Sequence, residues 1–384
     1  MKRAAMVALI MMAGFLVLLG NPLVPAQAAQ TTTTASAVTT TLSAVNTAAS
    51  AVTATAINTS FSGLTYAKAV EAALTSSSDL KTKQLNLDKA DSQYDDTYAT
   101  FYSMSFSDVV TQDSAYTEKK WAEMQIAIEK EAIAIQVENQ MNSINQLKNQ
   151  IDLAKLQQSV QNTDLAIALD KQNAGLIGEY DLNTIKNQKK ETDKNLELKQ
   201  LALENAYLSF MKLTGLTRAQ VLDPENRIIY TPVQDTADAF VARQLGENPH
   251  IWYYEKLLSG AKLGLTLYEA NTGSSYTVKS DDASQASNNL LQLKQNLTNS
   301  LKSKYNDAMT LEKNYELGQL TIEKTAQDLE SAQVRYAAGL CTETDVLNAK
   351  LAYVQAEDSQ ETIILQHIQD VNYLNKPYTN PDYL

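Results

Sequence analysis

The sequence predicts an all-α protein: two similar halves of long antiparallel helices with coiled-coil packing, and little or no β structure. Three observations lead there. Residues 64–174 contain neither proline nor glycine, so nothing in that stretch favours a turn. Val137, Met141, Ile144, Leu147, Ile151, Leu156 and Val160 recur mostly at spacings of three and four, and Leu297, Leu301, Tyr305 and Leu311 do so less regularly. That stripe is the packing seam of long helices. Finally, two sequence marks occur twice, at a period too long for an ordinary solenoid.

The chain opens with an export signal. Lys2 and Arg3 precede the uncharged apolar run Ala4 to Gly20, and Ala26-Gln27-Ala28 fits a small-x-small cleavage site. Residues 1–28 therefore read as a signal peptide that directs the chain to the cell envelope. No cysteine stands near the site to carry a lipid, and no later run of about 18 apolar residues predicts a membrane helix. Residues 29–62 are dominated by Thr, Ala, Ser and Val, have no charge, and form a linker unable to bury a core.

Residues 63–224 form the first helical repeat and 225–384 the second. Leu64-Thr65-Tyr66-Ala67-Lys68-Ala69-Val70 opens the first and Asp235-Thr236-Ala237-Asp238-Ala239-Phe240-Val241 the second, 171 positions on. Ala174-Gly175-Leu176 with Asp181-Leu182 returns 164 positions on as Ala338-Gly339-Leu340 with Asp345-Val346. The arm between the marks is thus one heptad shorter in the second half, which keeps an apolar stripe in phase. Thr65 and Thr236 are predicted N-caps, Gly215 and Pro224 close the first half, and Pro232 introduces the second. Tyr116 to Gln172 as one helix spans roughly 85 Å. Each half reads as helix, interruption, long helix, glycine turn, long helix.

The side chains on offer exclude most chemistry. One Cys and two His leave no disulfide framework, thiolate zinc site or imidazole metal cluster. No nucleophile–base pair or phosphate-cradling glycine loop occurs, so no enzyme, cofactor or metal is expected. The formal charge of −12 becomes more negative once Lys2 and Arg3 are removed, which disfavours nucleic acid and anionic lipid as partners. His250 and His367 read as ordinary helix residues, Cys341 as a small residue near a turn, and Lys186 to Lys194 as a solvated face.

The two glycine turns carry the functional information. Gln172-Asn173-Ala174-Gly175-Leu176-Ile177-Gly178-Glu179-Tyr180-Asp181-Leu182 is the first; Arg335-Tyr336-Ala337-Ala338-Gly339-Leu340-Cys341-Thr342-Glu343-Thr344-Asp345-Val346-Leu347-Asn348-Ala349 is the second. Glycine ends a helix in the left-handed conformation, and a polar residue after it caps the next. The duplicated halves, the Asn-Pro-x-apolar opening at 248–251, and Tyr-x-x-Gly with Asp-Val-Leu-Asn-Ala at 336–349 resemble the TolC family of outer-membrane efflux and secretion channels, over about 64–375.

That resemblance implies a homotrimeric α-barrel conduit in the cell envelope that docks through its turns onto a periplasmic adaptor of an inner-membrane export pump. Ala174, Gly175, Leu176, Ala338, Gly339 and Leu340 would be the adaptor-contacting residues. Asp345 matches an aspartate lining the closed aperture, Asn348 stands where members carry a second acid, and Tyr180, Asp181 and Tyr336 match the network that constrains the tip. Asp181 and Asp345 read equally well as N-terminal acids favoured by the helix dipole. Cys341 replaces a basic residue found there in some members, which puts a salt-bridged lock in doubt.

Family members carry two strands between the first and second long helices of each half. A membrane strand needs about 9–11 alternating residues. Thr100 to Phe106 and Ser274 to Val278 are short candidates flanked by Gln112-Asp113-Ser114, Glu118-Lys119-Lys120 and Ser280-Asp281-Asp282, so the barrel is expected to be missing or vestigial. The alternative function is a secreted all-helical envelope scaffold or spacer that has lost transport.

Overall fold

The computed structural model describes residues 63–100, 106–268 and 275–384. The export signal at 1–28 and the linker at 29–62 lie outside the described residues. Among those described, the helices are α1 (Tyr66–Ser76), α2 (Ser78–Thr100), α3 (Phe106–Asn173), α4 (Glu179–Thr214), α5 (Ala237–Glu247), α6 (Pro249–Thr266), α7 (Tyr276–Ala337) and α8 (Glu343–Asn375). A 3-10 turn, Pro377–Thr379, follows.

The duplication is structural. Helices α1 and α5 both have 11 residues and begin 171 positions apart, at Tyr66 and Ala237. Helices α4 and α8 begin 164 positions apart, at Glu179 and Glu343. Helix α3 has 68 residues and α7 has 62, so most of the difference is taken up within the long helix. A loss of seven residues is close to two turns and returns the stripe to the same face.

Each half has its own core, and five positions of one core correspond to five of the other. The first buries Ala69, Ile133, Val137, Ile144 and Phe210; the second buries Phe240, Leu297, Leu301, Ala308 and Leu374. Ala69 and Phe240 are 171 apart, and the other four pairs 164 apart. Where the second half places the large Phe240, its neighbours Ala308 and Leu374 are smaller than Ile144 and Phe210. Volume is thereby redistributed within one packing pattern, which cores tolerate best.

Helices α3 and α4 pair, as do α7 and α8, and α3 also packs on α8 and α6, which joins the halves. The long helices therefore lie in the order α4–α3–α8–α7. Helix α2 covers the N-terminal part of α3, through Lys83–Gln125 and the Lys119–Asp91 ion pair, while α4 covers the C-terminal part, through Gln158–Asp193. The α3–α8 seam is polar: Gln146 Nε2 donates to Thr362 Oγ1 at 3.0 Å and Asn149 Nδ2 to Glu361 Oε2 at 2.8 Å. Burial raises the carboxyl pKa of both Asp358 and Glu361 on this seam.

Local ends follow side-chain chemistry. Thr236 Oγ1 accepts from Ala239 N, the expected cap. Thr65 stands at the cap position of α1, but its side chain makes no capping bond; Glu225 Oε2 accepts from Tyr66 N at 2.9 Å instead. A carboxylate suits the positive end of the helix dipole, and the crossing chain brings one there. Leu64 N donates to Asp223 O and Glu225 N to Leu64 O, both at 2.9 Å, closing the first half on itself.

The strand candidates are corrected in part. Thr100 ends α2 and Phe106 begins α3, ten residues before the helix start expected at Tyr116. The polar run through Gln112 and Glu118 sits on that helix. Tyr276, Thr277 and Val278 lie in α7, and residues 101–105 and Ser274 fall outside the described residues. Only residues 101–105 separate α2 from α3, and 267–275 separate α6 from α7. Neither length holds a pair of membrane strands of about nine residues each. No strand is present among the described residues, and no described helix is long and apolar enough to cross a membrane.

Candidate functional site: the paired glycine turns

Both turns have one geometry. Gly175 has φ +71 and Gly339 φ +70, the left-handed region that only glycine enters without strain. Leu176 N donates to Lys171 O and Leu340 N to Arg335 O, each at 2.8 Å; Gly175 N donates to Gln172 O and Gly339 N to Tyr336 O, each at 2.9 Å. These bonds wrap back onto the last carbonyls of α3 and α7 and stop both helices. The left-handed glycine then turns the chain so that Leu176 and Leu340 point away from the hairpins, 73% and 71% exposed. Ala174 and Ala338 are exposed beside them.

The next helices start on carboxylates. Asp181 Oδ2 accepts from Gly178 N at 3.3 Å. In the second turn the cap is reciprocal: Asp345 N donates to Thr342 Oγ1 at 3.2 Å, and Thr342 N to Asp345 Oδ2 at 2.8 Å. The Thr342 hydroxyl adds a bond to the same carboxylate at 2.8 Å. The backbone and side-chain bonds from Thr342, with a smaller contribution from Arg335, hold the Asp345 carboxyl below its usual range. Both aspartates thus act as capping acids, and both remain exposed.

Tyr180 and Tyr336 are exposed, as is Asn348, and among the described residues no hydrogen bond links one turn to the other. The single chain therefore assembles two separate caps rather than a joined tip network. Cys341 Sγ contacts Ala332 O at 3.3 Å and is half-buried against the end of α7. His250 lies edge-on to Trp121 and Tyr383, and burial lowers its imidazole pKa. His367 is buried with its Nε2 3.2 Å from Glu312 Oε1, beneath the stacked rings of Tyr230 and Tyr315. No group of three or more His, Cys, Asp or Glu able to hold a metal occurs among the described residues.

Sequence periodicity directs attention to buried stripes and passes over a second set of apolar residues. Leu198, Leu201 and Leu208 on α4, and Leu317, Leu320 and Val334 on α7, are all exposed. Helices α4 and α7 are the two outer members of the four-helix row. The spacing 198, 201, 208 is itself a coiled-coil signal once a second seam is sought.

No protein-family model matches the chain, and no curated protein matches its sequence. Solved structures match its shape. The outer-membrane channel OprN superposes with a TM-score of 0.62 at 13% identity, over 82% of this chain and 90% of that one. The CmeC outer membrane channel of Campylobacter jejuni gives 0.61 at 13% identity, over 82% and 85%. The MtrE outer membrane channel of Neisseria gonorrhoeae gives 0.57 at 12% identity, over 82% and 88%.

This is the TolC-like helical fold. Within it the chain keeps the duplicated helices and both turns, and among its described residues it has none of the strands of a barrel.

Proposed function

We propose that the chain is the protomer of a homotrimeric envelope conduit, docked by its glycine turns onto an adaptor of an export pump in the inner membrane. The observation that carries the reading is the pair of equivalent turns at the ends of the helical hairpins, each presenting an exposed leucine beside a left-handed glycine. Exposed apolar groups on two turns of the same geometry suit a protein partner. Passive conduction needs no nucleotide site or catalytic group. The carboxylates of Asp181 and Asp345 near the tip would make an aperture that favours cations.

The exposed leucines support the trimer. A four-helix row with apolar residues on its outer helices α4 and α7 can bury them against a second copy, α4 of one chain meeting α7 of the next. Such a head-to-tail contact generates a closed ring when the rotation fits. Full burial of each leucine is worth about 1.5–3 kcal/mol. A photo-crosslinking residue at position 340 should trap an adaptor subunit in cells that export the protein. Trapping of none, with the trimer intact, would contradict docking.

A second reading has one observation in its favour. The connections at 101–105 and 267–275 are too short for membrane strand pairs, which suits an envelope scaffold or spacer that no longer transports. Adaptor trapping at position 340 separates the two.

A further inference from the structure

A cleft of about 400 Å³ lies between α3, α8 and the C-terminal tail, lined by Gln136, Asn139, Gln369, Asn372 and Asn380, with Ala132, Ile135, Tyr373 and Thr379. Five carboxamides converge on it. Among the described residues these five side chains make no hydrogen bond to one another; Gln136, Gln369 and Asn380 are exposed at the rim, Asn139 and Asn372 are half-buried, and the Asn372 Nδ2 atom is buried without a partner. Each amide offers both a donor NH2 and an acceptor oxygen. An orphan buried donor costs desolvation that a bound group can recover.

No charged side chain lines the cleft, so it has little to attract an ion. Neutral donors and acceptors gathered around one small volume, one of them buried without a partner, match a polyhydroxylated ligand. The apolar part of the lining is small: Ala132, Ile135 and the buried Tyr373. It suits one methyl group beside an amide rather than a long acyl chain. Tyr373 is held by its hydroxyl, which bonds to Asp382 and to Ser300, so its ring is fixed beside the amides. Ligand sites of roughly 300–1,000 Å³ with a few placed polar groups are the usual size for small molecules.

We propose that this cleft binds a neutral N-acetylated saccharide unit, with Asn139 and Asn372 bonding its acetamido group and Gln136, Gln369 and Asn380 its hydroxyls at the rim. A peptide shares the amide chemistry but lacks the several hydroxyls that the rim amides Gln136, Gln369 and Asn380 would meet. The cleft lies on α3 and α8, the inner helices of the row, so a ring closed through α4 and α7 leaves it accessible. The proposal does not rest on the conduit reading.

The test is saturation-transfer NMR on the purified full chain, with tri-N-acetylchitotriose as probe and maltotriose and trialanine as comparators. Saturation should reach the acetyl methyl protons of chitotriose most strongly. Maltotriose should bind at least about tenfold more weakly, since one or two hydrogen bonds are lost. Asn139→Ala should weaken chitotriose binding about tenfold, and Gln369→Ala, at an exposed rim position that cannot unfold the core, should weaken it severalfold. Absence of transfer to chitotriose overturns the proposal. So does equal binding by Gln369→Ala and the unaltered chain, or trialanine binding as tightly as the saccharide.

Discussion

Replacing the turn glycines separates backbone strain from packing. At Gly339 the φ is +70 and nothing lies within 4 Å of an added Cβ. A side chain there meets open space, so the cost is the left-handed backbone alone, about 1–2 kcal/mol whatever the size of the residue. At Gly215 the φ is +71 as well, but an added Cβ would stand 3.0 Å from Ser76 Oγ and 3.3 Å from Ser76 Cβ, at the end of α1. Overpacking adds about 1–3 kcal/mol to the same backbone strain. Gly339→Ala and Gly339→Leu should therefore agree within about 0.5 kcal/mol, while Gly215→Ala should be destabilised by at least about 1 kcal/mol more. Urea unfolding followed by helical circular dichroism reads all three. Gly339→Leu should also lose adaptor crosslinking while its helices stay folded. A Gly339→Leu chain much less stable than Gly339→Ala would refute the reasoning, because the tip would then not be open.

Three other outcomes follow from the packing and the charges. Ile133→Ala and Leu297→Ala occupy equivalent sites in the two cores; each should cost about 2–5 kcal/mol, and the double variant should be near the sum if the cores are independent, by chemical denaturation. Thr342→Ala removes the hydroxyl bond to the Asp345 carboxyl but keeps the larger backbone bond from residue 342 N, so the pKa should rise only part of the way toward the ordinary value in a carboxyl NMR titration. Because the folded value is the lower one, Asp345 contributes stability that is present above the unfolded value and lost as pH falls through the folded one; Thr342→Ala should flatten that acid limb. Glu361 has the opposite sign: burial raises its folded pKa, so stability should fall as pH rises from the ordinary carboxylate value through the raised one, and Glu361→Gln should remove that slope.

The periodicity of Val137, Met141, Ile144 and Ile151 made α3 legible because these side chains are its buried face. The helix begins earlier than the stripe suggests, at Phe106, since Asp108, Asp113 and Lys119 can lie on a solvated surface without breaking helical geometry. The second stripe was less regular because Ala308 and Glu312 take buried positions that an apolar pattern does not mark; Glu312 is buried against His367 and Val233 N. Gly175 and Gly339 were legible as turns through residue type alone. Their environment was not: exposure of Leu176 and Leu340 depends on how the hairpins end in space. The amides of the cleft come from α3 and, more than 200 positions on, from α8 and the tail, and no linear spacing brings Asn139 to Asn380.

The ring is tested most directly by the absolute mass of the purified chain, measured by light scattering in buffer without detergent. Three copies per particle are predicted, with Leu201→Asp on α4 or Leu317→Asp on α7 each reducing the particle to single chains. A monomer at concentrations well above micromolar, unchanged by either substitution, would contradict a closed conduit.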